Sequence, residues 1–329
     1  MIPILKKNIT KLFTKPGRLF KRFGKRALKI MEYRVYSGGQ EINGEIPFDL
    51  MRTEAAGIFE SMRAYRGKIF LEEEHLSRLL ESAKTIGYKP APKIPELRRE
   101  LALALRSYGR QECYARLTLW EGRTFVIIGS REHAKELYQK GVALKTASFP
   151  RGGPNTFPWQ AKASAYQQAI LASTEPHPDK IYEWVFLDQQ GCLTETRTGN
   201  FFIIKNPFRD RVSADAETRS LRMKGAVLLT PPERLILNGV TRRFVIKCAL
   251  DLGFQVQEVP LTRHEFFSAD EAFLSNTSWE ILPVRELDAR SIGAGKPGPA
   301  TLKLHRFFKR RVQQDVASYR SQGTDQRFR

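Results

Sequence analysis

The 329-residue sequence contains only three cysteines, Cys113, Cys192 and Cys248, and they lie far apart. Their odd number and wide spacing exclude a disulfide framework, and the lack of a CxxC pair excludes the common zinc-binding patterns. The sequence also lacks an apolar run of about 18 residues, the length at which a transmembrane helix becomes a candidate. We therefore expect a protein of a reducing compartment, the cytoplasm, with neither a metal site nor a membrane span.

Acidic residues are absent from the first 30 residues, which contain ten lysines and arginines. Residues 303–329 contain eight basic residues against two acidic ones, so the two termini carry +16 of the net charge of +20. A protein that follows the phosphates of a nucleic acid concentrates such charge on its folded domain. The nearly neutral body of this chain therefore argues against a specific nucleic-acid partner.

Apolar residues recur at helical spacing within residues 1–30, between the lysines and arginines. A basic amphipathic stretch of this kind can lie on an anionic membrane surface. It lacks the apolar centre of a secretory signal, and it contains no serine and more lysine than arginine, which is unusual for a mitochondrial transit peptide. Three interpretations stay open: a solvated, disordered extension, which is favoured slightly, a weak membrane-surface contact, or a transit peptide. The basic segment 306–329 is interpreted as a second solvated tail.

Between the termini, strand and helix patterns alternate without an internal repeat. Segment 151–155 (RGGPN) is the strongest turn signal in the body and predicts a linker between two domains. We expect an α+β protein with an extension 1–30, a smaller α/β domain 31–149, a linker 150–155, a larger domain 156–305 and a tail 306–329. Strands are predicted at 33–36, 58–65, 68–71, 113–120, 123–129, 183–188, 200–205, 255–260, 271–275 and 281–284, and helices at 73–86, 95–108, 163–173 and 240–252.

Two groups of short motifs point to a family, because they occur in its order and with its spacing. The first is FESMRAY at 59–65, GKIF at 67–70 and HLSRL at 75–79; the second is TPP at 230–232, ILNGVTR at 236–242, DEAFLSNT at 270–277 and PV at 283–284. From about Phe48 to about Leu304, the chain resembles the class IV (fold type IV) pyridoxal-phosphate enzymes. These include branched-chain aminotransferases, D-amino-acid aminotransferases and aminodeoxychorismate lyases. The resemblance implies a homodimer of two-domain α+β subunits with the cofactor, pyridoxal 5'-phosphate, in the cleft between the domains.

By this resemblance Lys162, in QAKASAY at 160–166, is the catalytic lysine at the start of a helix. Such enzymes need a lysine that binds the cofactor through a carbon–nitrogen double bond and moves a substrate proton. Glu195, which precedes GNFF at 199–202, is implied as the carboxylate that keeps the pyridine nitrogen protonated. The simpler interpretations are an exposed helix lysine and a hairpin glutamate in solvent, and the flanking motifs make them less favoured.

The phosphate of such a cofactor needs an arginine and backbone N–H groups, ideally at the start of a helix. The resemblance implies that Arg78 supplies the guanidinium, Val240 and Thr241 the helix start, and Thr277 a hydroxyl from a later turn. A surface arginine at position 78 and a plain N-cap at Thr241 are the alternatives.

The substrate site is implied less directly. The stretch 119–125 lacks the Arg-x-His element of D-amino-acid aminotransferases. Tyr114 and Arg116 resemble the branched-chain enzymes, where a tyrosine meets the substrate carboxylate and an arginine helps to accept a glutamate side chain. Alternation along a strand places both on one face, as it also would in a half-buried strand without function. Tyr166, for which core packing is the alternative, and Ser278 complete the candidate substrate residues.

The chain departs from the family pattern at several positions. Ala165 stands where the family has an asparagine, and Glu54-Ala55 replace a Tyr-Gly pair whose tyrosine reaches the neighbouring subunit's pocket. Trp279 replaces a small residue in the carboxylate-binding turn, where it is expected to narrow the pocket. Residues 206–226 lengthen a hairpin that the family keeps short, and no function is predicted for them.

The sequence therefore predicts a pyridoxal-phosphate-dependent aminotransferase that moves an amino group between an amino acid, of branched-chain type, and a 2-oxo acid. One alternative is an aminodeoxychorismate lyase that releases pyruvate by β,α-elimination. The other is an inactive protein that binds nucleic acid or a membrane surface through its basic tails. The joint presence of Lys162, Glu195 and Arg78 argues against an inactive pocket.

Overall fold

The computed structural model describes residues 33–42, 57–120, 122–152, 159–163, 172, 175, 181–205 and 225–322. All of them belong to one compact unit, residues 32–329. The features predicted at 1–30, Glu54, Ala165 and Tyr166, most of the helix at 163–173 and nearly all of the insertion 206–226 lie outside the described residues.

The first sheet is antiparallel and has six strands. They are β1 (Tyr33–Ser37), β2 (Gln40–Glu41), β3 (Ile58–Tyr65), β4 (Lys68–Ile69), β5 (Cys113–Trp120) and β6 (Arg123–Gly129), in the order β2-β1-β6-β5-β3-β4. Buried residues alternate with half-buried ones along β3 and most of β5, the pattern of a sheet with one covered face. Every second side chain of these strands therefore lies on the covered face of the sheet.

Two helices cover this sheet, α1 (Glu72–Thr85) and α2 (Ile94–Tyr108). Leu76 and Leu79 of α1 and Leu97 and Leu101 of α2 are buried in one cluster with the inward side chains of the strands. Both helices confirm the predicted segments within a residue or so at each end, because their apolar residues follow the helical period.

The second sheet has nine strands and is mixed. They are β7 (Val142–Thr146), β8 (Ile181–Leu187), β9 (Leu193–Thr196), β10 (Asn200–Lys205), β11 (Val227–Thr230), β12 (Gln255–Glu258), β13 (Glu271–Asn276), β14 (Glu280–Leu287) and β15 (Arg290–Ser291), in the order β12-β11-β10-β13-β14-β7-β8-β9 with β15 on β14. Because β7 pairs with β14 and β8, the chain changes sheet before segment 150–155. We keep the two-domain division as a proposal, with β7 assigned to the larger domain.

The described residues also form the α-helices α3 (Lys135–Lys140), α4 (Val240–Asp251), α5 (Arg263–Phe267) and α6 (Pro299–Gln322). Helix α6 corrects the prediction of a solvated tail after 305. Phe308, Val312 and Val316 are buried in one cluster with residues of α4 and the second sheet. With Leu304 they recur every four residues, which places them on one helix face. The many basic residues between them obscured this stripe.

Within the described part of the chain, every helix is too short or too polar to cross a membrane. The same residues contain no group of three or more histidine, cysteine or acidic side chains placed to hold a metal ion. All three cysteines are free.

Candidate active site

A cavity of about 280 Å³ is lined by residues of both sheets. Every predicted site residue that the structure describes lines it: Arg78, Tyr114, Arg116, Lys162, Glu195, Val240, Thr241, Thr277 and Ser278. The remaining predicted residue, Tyr166, lies outside the described part of the chain. Residues up to 200 positions apart in the sequence thus form one site.

Backbone hydrogen bonds hold Lys162 against the first sheet and α1. Its N–H donates to Ser82 Oγ at 3.0 Å, and its carbonyl accepts the N–H of Phe59 at 3.0 Å. The amine Nζ lies 4.7 Å from the centre of the Phe59 ring. Burial, and next the charge of Arg78, lower the pKa of Lys162 to about 8. A sizeable fraction of this amine is therefore neutral near pH 8, which is the form that can attack a carbonyl.

Glu195 is held through both carboxylate oxygens on β9. Oε1 forms an ion pair with Arg151 Nη2 at 2.6 Å. Oε2 accepts the N–H of Leu237 at 3.0 Å and an amide hydrogen of Asn200 at 3.1 Å. A buried carboxylate with this many donors is fixed in position at the cavity wall.

Arg151 is a site residue that the sequence did not reveal, because it stands in the predicted linker. It is 1% exposed. Its guanidinium carbon lies 4.5 Å from the centre of the Trp159 ring, and Nη1 donates to the carbonyl of Leu235 at 2.8 Å. Arg151 therefore compensates the buried charge of Glu195 from outside the cavity.

Arg78 projects from α1 to the start of α4. Its Nε and Nη2 each donate to Glu60 at 2.7 Å, and Nη1 donates to the carbonyl of Asn238 at 2.9 Å. Glu60 is fully buried and also bonds His75 Nδ1 at 2.7 Å. Burial alone raises the pKa of Glu60, but the charge of Arg78 and the bonds from His75 and Arg78 lower it to about 2. The guanidinium is thus fixed in orientation beside a helix N-terminus.

Helix α4 begins at the cavity with the N–H groups of its first turn, which have no acceptor within the helix. Its N-cap is Gly239, where a Cβ atom would lie 2.3 Å from Asn200 Oδ1, so only glycine fits. The alternative interpretation of Thr241 as a plain N-cap is therefore wrong, since Thr241 lies within the first turn. Its hydroxyl is 3.4 Å from that of Thr277. A guanidinium, a helix start and two hydroxyls are donor groups of the kind that bind a phosphate.

This donor set fits pyridoxal phosphate. Lys162 offers an amine for covalent attachment, and Glu195 offers a fixed carboxylate for the pyridine nitrogen. Arg78 and the start of α4 offer a cationic, hydrogen-bonding site for the phosphate. Because Gly239 has no side chain, a ligand can approach the backbone at the start of α4 closely.

The opposite wall of the cavity is aromatic and cationic. The hydroxyls of Tyr114 and Ser61 are 2.7 Å apart. The guanidinium carbon of Arg116 lies 3.8 Å from the centre of the Phe59 ring, and its Nε is buried without a hydrogen-bond partner. Burial, against the opposing effect of Tyr114, lowers the pKa of Arg116. This wall suits an anionic group of the substrate.

Arg131 also lines this wall, and His133 contacts the lining residue Ser278 from outside it; sequence reasoning missed both. They follow β6 and form an Arg-x-His pair one strand later than the stretch 119–125. The guanidinium carbon of Arg131 lies 4.9 Å from the centre of the Tyr114 ring. His133 Nε2 is 2.7 Å from Ser278 Oγ, and burial, followed by the charge of Arg131, lowers the pKa of His133 to about 4.

The turn between β13 and β14 closes the cavity with Thr277 and Ser278. Asn276 Oδ1 accepts the N–H groups of Ser278 at 2.8 Å and of Trp279 at 2.9 Å. Trp279 is 4% exposed, packs in the core of the second sheet and does not line the cavity. The expectation that Trp279 narrows the pocket is therefore wrong.

Comparison with known proteins agrees with this geometry. Residues 57–287 match the family model described as amino-transferase class IV. A branched-chain-amino-acid aminotransferase of Pseudomonas aeruginosa is 31% identical over 272 residues, which cover 77% of this chain and 82% of that protein. One of Escherichia coli K12 is 30% identical over 273 residues, covering 76% and 82%.

A solved structure supports the fold. The branched-chain aminotransferase from Thermoproteus uzoniensis with norvaline has a TM-score of 0.70 and 29% identity, covering 87% of this chain and 96% of that one. The predicted α+β fold type IV is thereby confirmed. These relatives carry aminotransferase names, and they give no support to a lyase or to an inactive binding protein. The chain belongs to the class IV aminotransferases, which are pyridoxal-phosphate-dependent enzymes.

Proposed function

We propose that this aminotransferase moves an amino group between a branched-chain amino acid and a 2-oxo acid, with Lys162 as the residue that carries the proton. The observation that carries the proposal is one cavity lined by a lysine amine of lowered pKa, a fixed carboxylate at Glu195 and the guanidinium of Arg78. The branched-chain aminotransferases of P. aeruginosa and E. coli, among the relatives, support the substrate type.

Each residue of the site has a separate role in the proposed reaction. Bound pyridoxal phosphate supplies an electron sink that weakens the C–H bond at the substrate α-carbon. Lys162 would hold the cofactor through Nζ and, once free as an amine, would carry the proton that leaves the substrate α-carbon. Glu195 would hold a proton at the pyridine nitrogen, and Arg78 with Val240, Thr241 and Thr277 would hold the phosphate.

The cationic wall selects the substrate. Among the described residues, neither Arg116 nor Arg131 forms an ion pair with a carboxylate, so the substrate supplies their counter-charge. Tyr114 and Ser278 offer hydroxyls beside them, and Tyr166 follows four positions after the lysine. A dicarboxylate such as glutamate then serves as amino donor.

Replacing Arg116 or Arg131 with glutamine should change the choice between substrates. We expect kcat/KM for glutamate to fall about tenfold to a hundredfold relative to that for leucine, because a hydrogen bond to a charged group contributes ~1.5–3 kcal/mol. Arg123→Gln, an exposed arginine at the start of β6, is the matched control and should leave the ratio unchanged. Equal losses for both amino acids would contradict this assignment.

A substrate panel tests the reaction. Leucine, isoleucine, valine and glutamate are offered with 2-oxoglutarate or 2-oxo-4-methylpentanoate, and each amino acid is tested as both enantiomers. We expect amino-group transfer from the branched-chain members. Pyruvate release without amino transfer, or transfer confined to amino acids of another type, would overturn the proposed function.

We also propose a homodimer and a cytoplasmic location. The dimer rests on the family resemblance, in which a residue of one subunit reaches the pocket of the other. The three free cysteines suit a reducing compartment. Sedimentation of the purified protein measures the subunit number.

Deleting residues 1–30 should leave turnover unchanged, because none of the site residues lies there. If this segment contacts a membrane, its loss should reduce binding to vesicles that contain anionic lipid. Added salt should mimic the deletion, since each basic residue near such a surface contributes only about 1 kcal/mol and is screened. Equal vesicle binding by the full-length and truncated proteins would exclude the membrane contact and leave the enzyme assignment intact.

A further inference from the structure

Glu280 is a buried glutamate directly after the cavity turn. It is 6% exposed and begins β14, two residues after Ser278. Its φ of 63° lies in the left-handed region, which a residue with a side chain adopts rarely. Such a backbone persists only where the surrounding contacts impose it. The side-chain contacts of Glu280 come from two other elements, β3 and α6.

The carboxylate of Glu280 joins β3 to α6. Oε1 accepts the hydroxyl of Tyr65 at 2.7 Å and Arg63 Nη1 at 3.3 Å. Oε2 is 3.0 Å from His305 Nε2 and 3.8 Å from Lys309 Nζ, both on α6. Burial by itself raises the pKa of Glu280, but the bond from His305 and the charge of Arg63 lower it to about 2. The group therefore stays an anion with fixed partners.

The same partners hold the carbonyl oxygens of the turn. Arg63 Nη1, which bonds Glu280, also donates to the carbonyl of Ser278 at 3.2 Å. The hydroxyl of Tyr138 donates to the carbonyl of Trp279 at 3.1 Å, and the Tyr138 ring stacks on His305 with 5.5 Å between ring centres. Both consecutive carbonyls of the turn are thus oriented by groups that contact Glu280 or its partner His305.

We infer that Glu280 is a positioning residue: through Arg63 and the His305–Tyr138 stack it sets the orientation of Ser278 at the cavity wall. The inference rests on the proposed role of Ser278 in substrate binding. Helix α6, which was interpreted from the sequence as a basic tail, therefore helps to position the residues of the active site. Glu280 itself does not line the cavity, so it acts through the turn and not on the substrate.

Glu280→Gln in the holoenzyme tests this inference. The amide has nearly the same shape as the carboxylate, but its NH2 group is a donor and faces side chains that are themselves donors. The probe is 4-methylvalerate, a carboxylic acid without an amino group, whose binding is followed by the visible absorbance of the cofactor without turnover. We expect its Kd to rise about tenfold, the equivalent of one lost hydrogen bond to a charged group. Ser278→Ala should raise the Kd as well, since it removes the hydroxyl that Glu280 orients.

Glu271→Gln is the matched control. Glu271 also anchors α6, by accepting the N–H groups of Ala300 at 3.0 Å and Thr301 at 2.7 Å, but it contacts no residue of the turn. This variant should lower the thermal unfolding midpoint and keep the Kd within about twofold. Equal increases in the Kd for both glutamate variants would show a merely structural role and overturn the inference.

Two further results separate the inference from the proposed function. A normal Kd for Glu280→Gln beside a raised Kd for Ser278→Ala overturns the inference and keeps the substrate role of Ser278. Normal values for both overturn that role too. If Glu280→Gln does not fold, Tyr65→Phe replaces it, since it removes only one hydroxyl from the cluster. A Kd about threefold higher supports the inference, and an unchanged Kd contradicts it.

Discussion

Replacing Lys162 with alanine should abolish covalent attachment of the cofactor and reduce turnover by at least about 10³-fold, since general acid–base catalysis alone contributes about 10²–10⁴-fold. Lys162 lines the cavity, its pKa is lowered to about 8, and its backbone is bonded to Ser82 and Phe59. Alanine preserves these backbone bonds, so the variant should fold normally. The measurement is amino transfer from leucine, with the visible absorbance recorded alongside.

Lys84→Ala is the control for this variant, because Lys84 is an exposed lysine in the last turn of α1. It should keep both the yellow colour and the turnover. Normal activity of Lys162→Ala would remove the catalytic assignment altogether. Activity restored to Lys162→Ala by added primary amines would support it, since a free amine then carries the proton.

Replacing Glu195 with glutamine should slow turnover on the order of 10²-fold, the usual loss when one preorganised charged or polar group is removed. The neutral amide holds a proton at the pyridine nitrogen less well, so the cofactor stays bound but withdraws electrons less. The change also leaves Arg151 buried without its carboxylate, and loss of one partner of a buried ion pair typically costs about 3–5 kcal/mol. Stopped-flow absorbance of the half-reaction measures the proton-transfer step.

The matched control is Glu258→Gln. Glu258 also bonds a buried arginine, Arg242, at 2.7 Å, but neither residue lines the cavity. It should lower the unfolding midpoint and leave the half-reaction rate unchanged. Unchanged proton transfer in Glu195→Gln would mean that Glu195 is only a hairpin residue.

Helices and strands could be predicted where the apolar residues of a segment recur with one clear period. Strands β3 and β5 have eight residues each and alternate over most of that length, and α1, α2 and α4 follow the helical period over at least 12. Strands β9 and β11 were missed because each has four residues that are almost all buried, so neither shows alternation. The C-terminal α6 was missed because its apolar residues recur only every four positions and are surrounded by arginine and lysine.

The site could be predicted only where its residues sit in local motifs. Lys162, Glu195 and Arg78 lie within short segments that the resemblance identifies. Arg151 could not be found this way, because its role depends on an ion pair with a residue 44 positions later in the sequence. Glu280 and His305 meet only through the packing of α6 on the second sheet, and no spacing in the sequence indicates that contact.

The most direct measurement is the position of the covalent bond between the protein and its cofactor. The purified enzyme is reduced with borohydride, which converts the carbon–nitrogen double bond into a stable amine, and its peptides are identified by mass spectrometry. We expect one phosphopyridoxyl group, on the peptide that contains Lys162, with loss of the visible absorbance. The same group on another lysine, or no modified lysine in a yellow protein, would contradict it.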